Sequence, residues 1–390
     1  MRSSLRLAAG ALGLALLLSL APGRPVAAAG EPYVIGAILS ESGQGATLGR
    51  PEADSMQLAV DDINKAGGIA GRPIKLTILD DQSDSTTAVN DFRQLQDQHP
   101  IAIFGTPLTP TSLALVPLAQ AAQIPLVSFA SSVSVVAPAE THQWIFKIPI
   151  NDTEVAKALQ GYMKQHGQTK VSFIYRNDDY GKTGMAHFID AGKADGFSAI
   201  SSDAIDGTAG DATTQLTHVK AANPQALICW TTLPSANVIV RGFRELGLTM
   251  PLYYSDGAAS GIFVKQAGPP LDGAYIATMK VNVVDQLPDS DPTKKVLEHY
   301  VATFDADYPK DAPVSIFGTW GYDGVGFLKA ALEKLHGANV TPATLRAAFE
   351  QTSFVGVSGP FHFSPSQHFG LSESNVVMSQ IQHGKFVMVR

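Results

Sequence analysis

Between residues 33 and 255 of this 390-residue chain, short apolar runs alternate with segments whose apolar residues recur at i, i+3, i+4 and i+7. Alternation at such short intervals implies right-handed βαβ units, and hence a parallel sheet covered by helices on both faces. The fold class is therefore α/β. Residues 33–39 read as the first strand, and 40–49 as a loop rich in Ser and Gly. A helix beginning at Pro51 would bury Met56, Ala59, Val60 and Ile63 and end at Gly67-Gly68. The strand 74–79 leads to Asp80, Asp81 and Asp84, and the next helix carries Ala88, Val89, Phe92 and Leu95 on one face.

Near Trp144 the chain leaves this sheet and begins again. A helix with Val155, Leu159, Tyr162 and Met163 on one face leads to the strand 171–175, and strands are expected near Ala199, at 226–230 and at 252–255. A strand over 274–279 follows. The long helical stretches 292–306 and 315–335 then lack enough strands for a sheet of their own, so they must cover an existing one. The expected division is 1–29 apart, 30–148 in lobe 1, 149–279 in lobe 2, 280–356 back in lobe 1, and 357–390 in lobe 2, ending on a strand at 376–381. That path makes two doubly wound lobes joined by three crossovers. Pro117, inside a helical run, should kink or shorten its helix.

The first 29 residues carry Arg2 and Arg6 before an apolar run, 7–21, and then Ala27 and Ala29 in an A-x-A pattern. This is the signature of a secretory signal peptide cleaved near Ala29, since about 15 apolar residues are too few to span a bilayer. No Cys stands at the cleavage site for lipid attachment. The formal charge is −7; without Arg2, Arg6 and Arg24, 25 Lys and Arg face 35 Asp and Glu, a net −10. A mildly acidic surface without basic runs argues against nucleic acid as a partner. The single Cys229 lies in the apolar run 226–230, and reads as a buried structural thiol. Trp230 reads as core.

The most informative stretch is 101–112. An apolar strand, 101–104, breaks at Gly105 into Thr106, Pro107, Leu108, Thr109, Pro110, Thr111 and Ser112, and an apolar helix follows. Thr109 sits where an N-cap belongs and Pro110 at the first helical position. The opening N–H groups of a helix have no internal acceptor, so with the flanking hydroxyls they make a site for a carboxylate or phosphate. A second polar loop at a strand's carboxyl end, Phe129, Ala130, Ser131 and Ser132, follows the strand 125–128. Two such ends side by side form a ligand crevice.

Other motifs carry less. Gly43, Gly45 and Gly49 miss the dinucleotide fingerprint by one residue, and no P-loop, H-E-x-x-H or G-x-S-x-G is present. Neither a cofactor, a catalytic residue nor a metal site is expected. Asp80, Asp81 and Asp84 lack EF-hand spacing and suit a strand end plus a helix cap. Asp256 follows a strand and either caps the short helix near Ile262 or faces the crevice. Tyr180 either walls that crevice or packs at a helix start.

The order of these motifs resembles the Leu/Ile/Val-type periplasmic binding proteins of ABC importers. The resemblance rests on 36–49, Asp61-Asp62-Ile63-Asn64 with Gly67-Gly68-Ile69, Asp80-Asp81, the turn at Thr109, Ile124-Pro125, Asp179-Tyr180-Gly181 and Ser358-Gly359-Pro360. It covers the whole chain after the leader. It implies a type I periplasmic binding protein fold, a periplasmic monomer, and a small carboxylate ligand passed to an ABC permease in the inner membrane. By resemblance Thr109 holds the ligand carboxylate, Ala130 offers its carbonyl to an ammonium, Ser132 serves both groups, Asp256 pairs with the ammonium and Tyr180 closes the pocket. Leu108, in the hydroxyl turn, and Leu48, where members often carry a shielding aromatic, complete the candidate wall. The implied ligand is a branched-chain or other apolar amino acid, with an aromatic or other organic acid lacking an amine as the alternative. Readings from other classes are an enzyme using the same cleft, for which no nucleophile or cofactor loop is found, and a sensory binding protein.

Overall fold

The computed structural model describes residues 30–308 and 313–390, so the leader and its cleavage site lie outside the described residues. The first sheet is built from β1 (Tyr33–Leu39), β2 (Ile74–Asp80), β3 (Ala102–Gly105), β4 (Leu126–Ser128) and β5 (Ile145–Lys147), with α1 (Ala46–Lys65), α2 (Ser85–Gln96) and α3 (Thr109–Ala122) as connections. Its order is β2-β1-β3-β4-β5, and every pairing is parallel. Ile35, Ala37, Phe104 and Val127 have no exposed surface, as strands covered on both faces require.

The second sheet follows the connection after β5. It comprises α4 (Asp152–Gln165), β6 (Lys170–Arg176), α5 (Asp179–Gly192), β7 (Ser198–Ile205), α6 (Thr213–Ala222), β8 (Ala226–Trp230), α7 (Ser235–Glu245), β9 (Leu252–Tyr254), α8 (Gly261–Ala267) and β10 (Tyr275–Met279). The chain then forms α9 (Lys294–Asp307), α10 (Ile316–Lys334) and α11 (Pro342–Phe349), the hairpin of β11 (Ser353–Val355) and β12 (Pro360–His362), and finally β13 (Val376–Gln382) and β14 (Lys385–Met388). The full order is β14-β13-β10-β9-β8-β6-β7, in which β13 and β14 join antiparallel. Two α/β lobes result, the architecture that the resemblance implied.

Helices α9 and α10 lie on α1, as the shortage of strands demanded. The Tyr300 hydroxyl meets Ser55 Oγ at 2.9 Å, and the Tyr308 hydroxyl donates to the Asp54 carbonyl at 2.6 Å. A Cβ on Gly321 would stand 2.2 Å from the Glu52 carbonyl oxygen, so glycine is what lets α10 approach this closely.

Several boundaries differ from expectation. Helix α1 starts at Ala46 rather than at Pro51; Pro51 lies inside it, and the helix runs on. Likewise α3 continues through Pro117 to Ala122. Residues 357–371, expected in lobe 2, stay with lobe 1. There Phe361 stacks on Phe354 at 4.6 Å, Phe363 on Phe327 at 4.1 Å, and Phe369 bridges to Lys147 of β5. The last crossing therefore lies between Phe369 and β13. The acidic run is occupied internally: Asp80 accepts from the amides of Glu41, Ser42 and Gln82, Asp81 from the Ser40 and Ser83 groups, and Asp84 caps α2 through Thr87.

Candidate functional site

The carboxyl ends of β3 and β4 in one lobe face those of β6, β8 and β9 in the other. Between them lies a cavity of about 20 Å³, lined by Leu48, Pro107, Leu108, Thr109, Ser131, Arg176, Asp178, Tyr180, Thr232, Gly257, Phe317 and Trp320. That is room for little more than one water, so the lobes are shut on each other. A solute of amino-acid size enters only when they part.

The lobe 1 wall starts at Gly105, whose φ of +100° turns the chain sharply out of β3. The turn's hydroxyls then satisfy one another. Thr111 Oγ1 donates to the Leu108 carbonyl at 2.9 Å, Ser112 Oγ to the Thr106 carbonyl at 2.9 Å, and Ser112 Oγ meets Ser128 Oγ at 2.8 Å. Thr109 is left out of this web. It is the first residue of α3, with Leu108 in the N-cap position, which corrects the expectation that Thr109 is the cap. Its Oγ1 is buried without a partner, on the cavity wall and beside the N–H groups that open the helix. A second buried donor without a partner is Nε1 of Trp320, a residue of α10 that also lines the cavity.

The lobe 2 wall is charged and internally bonded. Arg176, at the end of β6, bonds Asp178 through Nε and donates from Nη1 to Thr232 Oγ1 at 2.5 Å. The other oxygen of Asp178 accepts from the Gly181 amide at 3.2 Å and so caps α5. The Tyr180 hydroxyl donates to Asp256 Oδ1 at 3.0 Å and accepts from the Gly257 amide at 3.0 Å. Burial and the Asp256 charge hold the Tyr180 phenol well above its ordinary range, so it stays a donor. Burial also raises the Asp256 carboxyl, opposed by the bonds from Ser131 and Tyr180.

Beside the cavity a bond joins the two lobes: Ser131 Oγ of lobe 1 donates to Asp256 Oδ2 of lobe 2 at 2.9 Å. Beneath it Lys147, fully buried, donates from Nζ to the carbonyls of Ser131 and Ile150 and to Asn151 Oδ1. Desolvation lowers its ammonium to about 7 against the attraction of Asp152 and Asp256.

Of the expected site residues, Thr109, Tyr180, Leu108 and Leu48 come together on the cavity. Ala130 and Ser132 do not. Ala130 is buried in the lobe 1 core, while Ser132 caps a short 3₁₀ turn and bonds Thr183 of α5 at 3.0 Å; the loop presents Ser131 to the cavity instead. Asp256 stands behind Ser131, Tyr180 and Gly257, with 1% of its surface exposed, and the helix near Ile262 is capped by Ser260 rather than by Asp256. Trp230 is fully buried and off the cavity. Sequence reasoning missed Arg176, Asp178, Thr232, Phe317 and Trp320. Arg176 and Asp178 could have been found, the first as a charged residue ending an apolar strand and the second in the Asp178-Asp179-Tyr180-Gly181 run that follows it; the other three carry no local signal.

The sequence profile of the periplasmic binding protein family matches residues 32–385. The chain belongs to that family. Its members are extracytoplasmic solute receptors rather than enzymes. The chain is similar to Leu/Ile/Val-binding protein homolog 8 of Brucella abortus, 28% identical over 175 residues, which make up 42% of this chain and 43% of that protein. The match thus spans less than half of that relative's length. In three dimensions it is similar to an extracellular ligand-binding receptor from Rhodopseudomonas palustris HaA2, with a TM-score of 0.85 and 26% identity over 92% of this chain and 99% of that one. It also shares its fold with an R. palustris solute-binding protein solved in complex with benzoate, with a TM-score of 0.80 and 20% identity over 92% of this chain and 95% of that one.

Proposed function

We propose that this binding protein captures a small carboxylate-bearing solute by hinge closure and delivers it, as a monomer, to an ABC permease in the inner membrane. The observation that carries this reading is Thr109 Oγ1, a buried hydroxyl without a partner at the N-terminus of α3, on the wall of the cavity between the lobes. A carboxylate there accepts from the hydroxyl and from the helix's first N–H groups, and the helix dipole favours its charge. In the open form the lobe 1 donors face water. Closure brings the lobe 2 wall over the solute and expels that water, so the solute binds the closed form better and shifts the population toward it.

The two ligand classes share this anchor and part at the amine. An apolar amino acid agrees with the Leu/Ile/Val-binding relative, and an acid without an amine agrees with the benzoate complex. Titration calorimetry on ligand-stripped protein tests the shared part. Thr109→Ala is expected to weaken the tightest acid about tenfold, the worth of a buried hydrogen bond to a charged group. Unchanged affinity places the carboxylate elsewhere.

A further inference from the structure

Deepening that reading, the geometry points to an amine-free acid with a second hydrogen-bond acceptor as the ligand class: its carboxylate lies on Thr109 and Trp320, its second acceptor on Arg176. The inference follows from the balance of donors and acceptors on the cavity wall. Thr109 Oγ1 and Trp320 Nε1 are buried without partners, and indole nitrogen can only donate. Arg176, 3% exposed and also on the wall, only donates as well. Two of these donors come from the lobe 1 side, on α3 and α10, and the third from the opposite lobe.

Acceptors are in short supply. Asp178 is the only carboxylate on the cavity wall among the described residues, and each of its oxygens already has a partner, Arg176 Nε on one and the Gly181 amide on the other. Asp256 is off the wall, and its two oxygens accept hydrogen bonds from Tyr180 and Ser131. An ammonium entering here would have to share Asp178 with the Arg176 guanidinium, a like charge that repels it, or break the Ser131–Asp256 bond between the lobes. Either cost falls on an amino acid and spares the acid that lacks the amine. Asp256 then fastens the closed form instead of reading the ligand.

The test is calorimetry of the ligand-stripped protein with three matched pairs. Leucine against 4-methylpentanoate differs by the amine; hexanoate against adipate and benzoate against 4-hydroxybenzoate differ by a second acceptor. The expected result is 4-methylpentanoate at least about tenfold tighter than leucine. Adipate or 4-hydroxybenzoate should exceed its simpler partner about fivefold or more, a gain that Arg176→Lys reduces while the discrimination against leucine stays. Circular dichroism confirms that the variant folds. Leucine binding as tightly as 4-methylpentanoate, or no gain from the second acceptor in either pair, overturns this inference and leaves the proposed function standing. If none of the six compounds binds, the carboxylate reading itself fails and this inference goes with it.

Discussion

The two walls of the cleft are built on opposite plans. Lobe 1 offers hydroxyls and helix N–H groups whose web closes on itself except at Thr109, so its face is neutral and has a donor to spare. Lobe 2 offers an Arg176–Asp178 pair and a Tyr180–Asp256 pair already bonded to one another. A wall with unspent donors can hold an anion before closure, whereas a wall with internally satisfied charges adds little until it is brought over the solute. The difference assigns capture to lobe 1 and commitment to lobe 2.

The harshest way to break this comparison is to reverse the sign of the capture wall. Thr109→Asp places a carboxylate at the first turn of α3, where it favours the helix but repels an acid. Acid binding should fall more than about a hundredfold in calorimetry while thermal stability holds or rises. Next is the bond between the walls. Ser131→Ala removes the lobe-to-lobe donor to Asp256 and leaves the capture wall intact, so affinity should drop about tenfold. X-ray scattering should then show less compaction at equal ligand occupancy.

Lys147 sharpens the comparison through pH. Its ammonium, held near 7 by burial, donates to the Ser131 carbonyl, so raising pH through 7 removes a positive charge under the capture wall. Affinity for an acid should therefore decline severalfold between about pH 6 and pH 8, a trend that Lys147→Met should flatten. The stability sign is opposite. A lysine whose folded value lies below its unfolded 10.5 leaves the unfolded chain holding more protons between about 7 and 10.5, so its contribution to stability rises with pH across that window. Urea unfolding of wild type minus Lys147→Met should show this rise. The smallest effect is expected from Ser132→Ala, whose hydroxyl bonds Ser134, Asp152 and, across the lobes, Thr183, all of them off the cavity; a loss under about threefold agrees with its position.

The alternation of strands and helices carried most of the fold, because seven-residue strands and amphipathic helices bury enough residues to show their period. What stayed hidden was short or distant. Strands β5, β11 and β12 have three residues each, too few to display alternation, while the equally short β4 and β9 were legible only by their place between a helix and a polar loop; β14 follows a tight turn after β13. The last crossing was misplaced because Phe363 stacks on Phe327 and Phe369 bridges to Lys147 of β5, lobe 1 partners far away in sequence. In the site, Thr109 could be read because strand, turn and helix adjoin in sequence. Ser131 was mistaken for Ser132 because turn geometry decides which of two adjacent serines faces the gap. Trp320 arrives by the packing of α10 on α1, which leaves no local trace.

A crystal structure with the tightest-binding acid tests the central claim most directly. The account predicts carboxylate oxygens within about 2.7–3.2 Å of Thr109 Oγ1 and the N-terminal amides of α3, with the lobes shut over the solute. A carboxylate seated away from α3, or a solute outside the gap between the lobes, would contradict it.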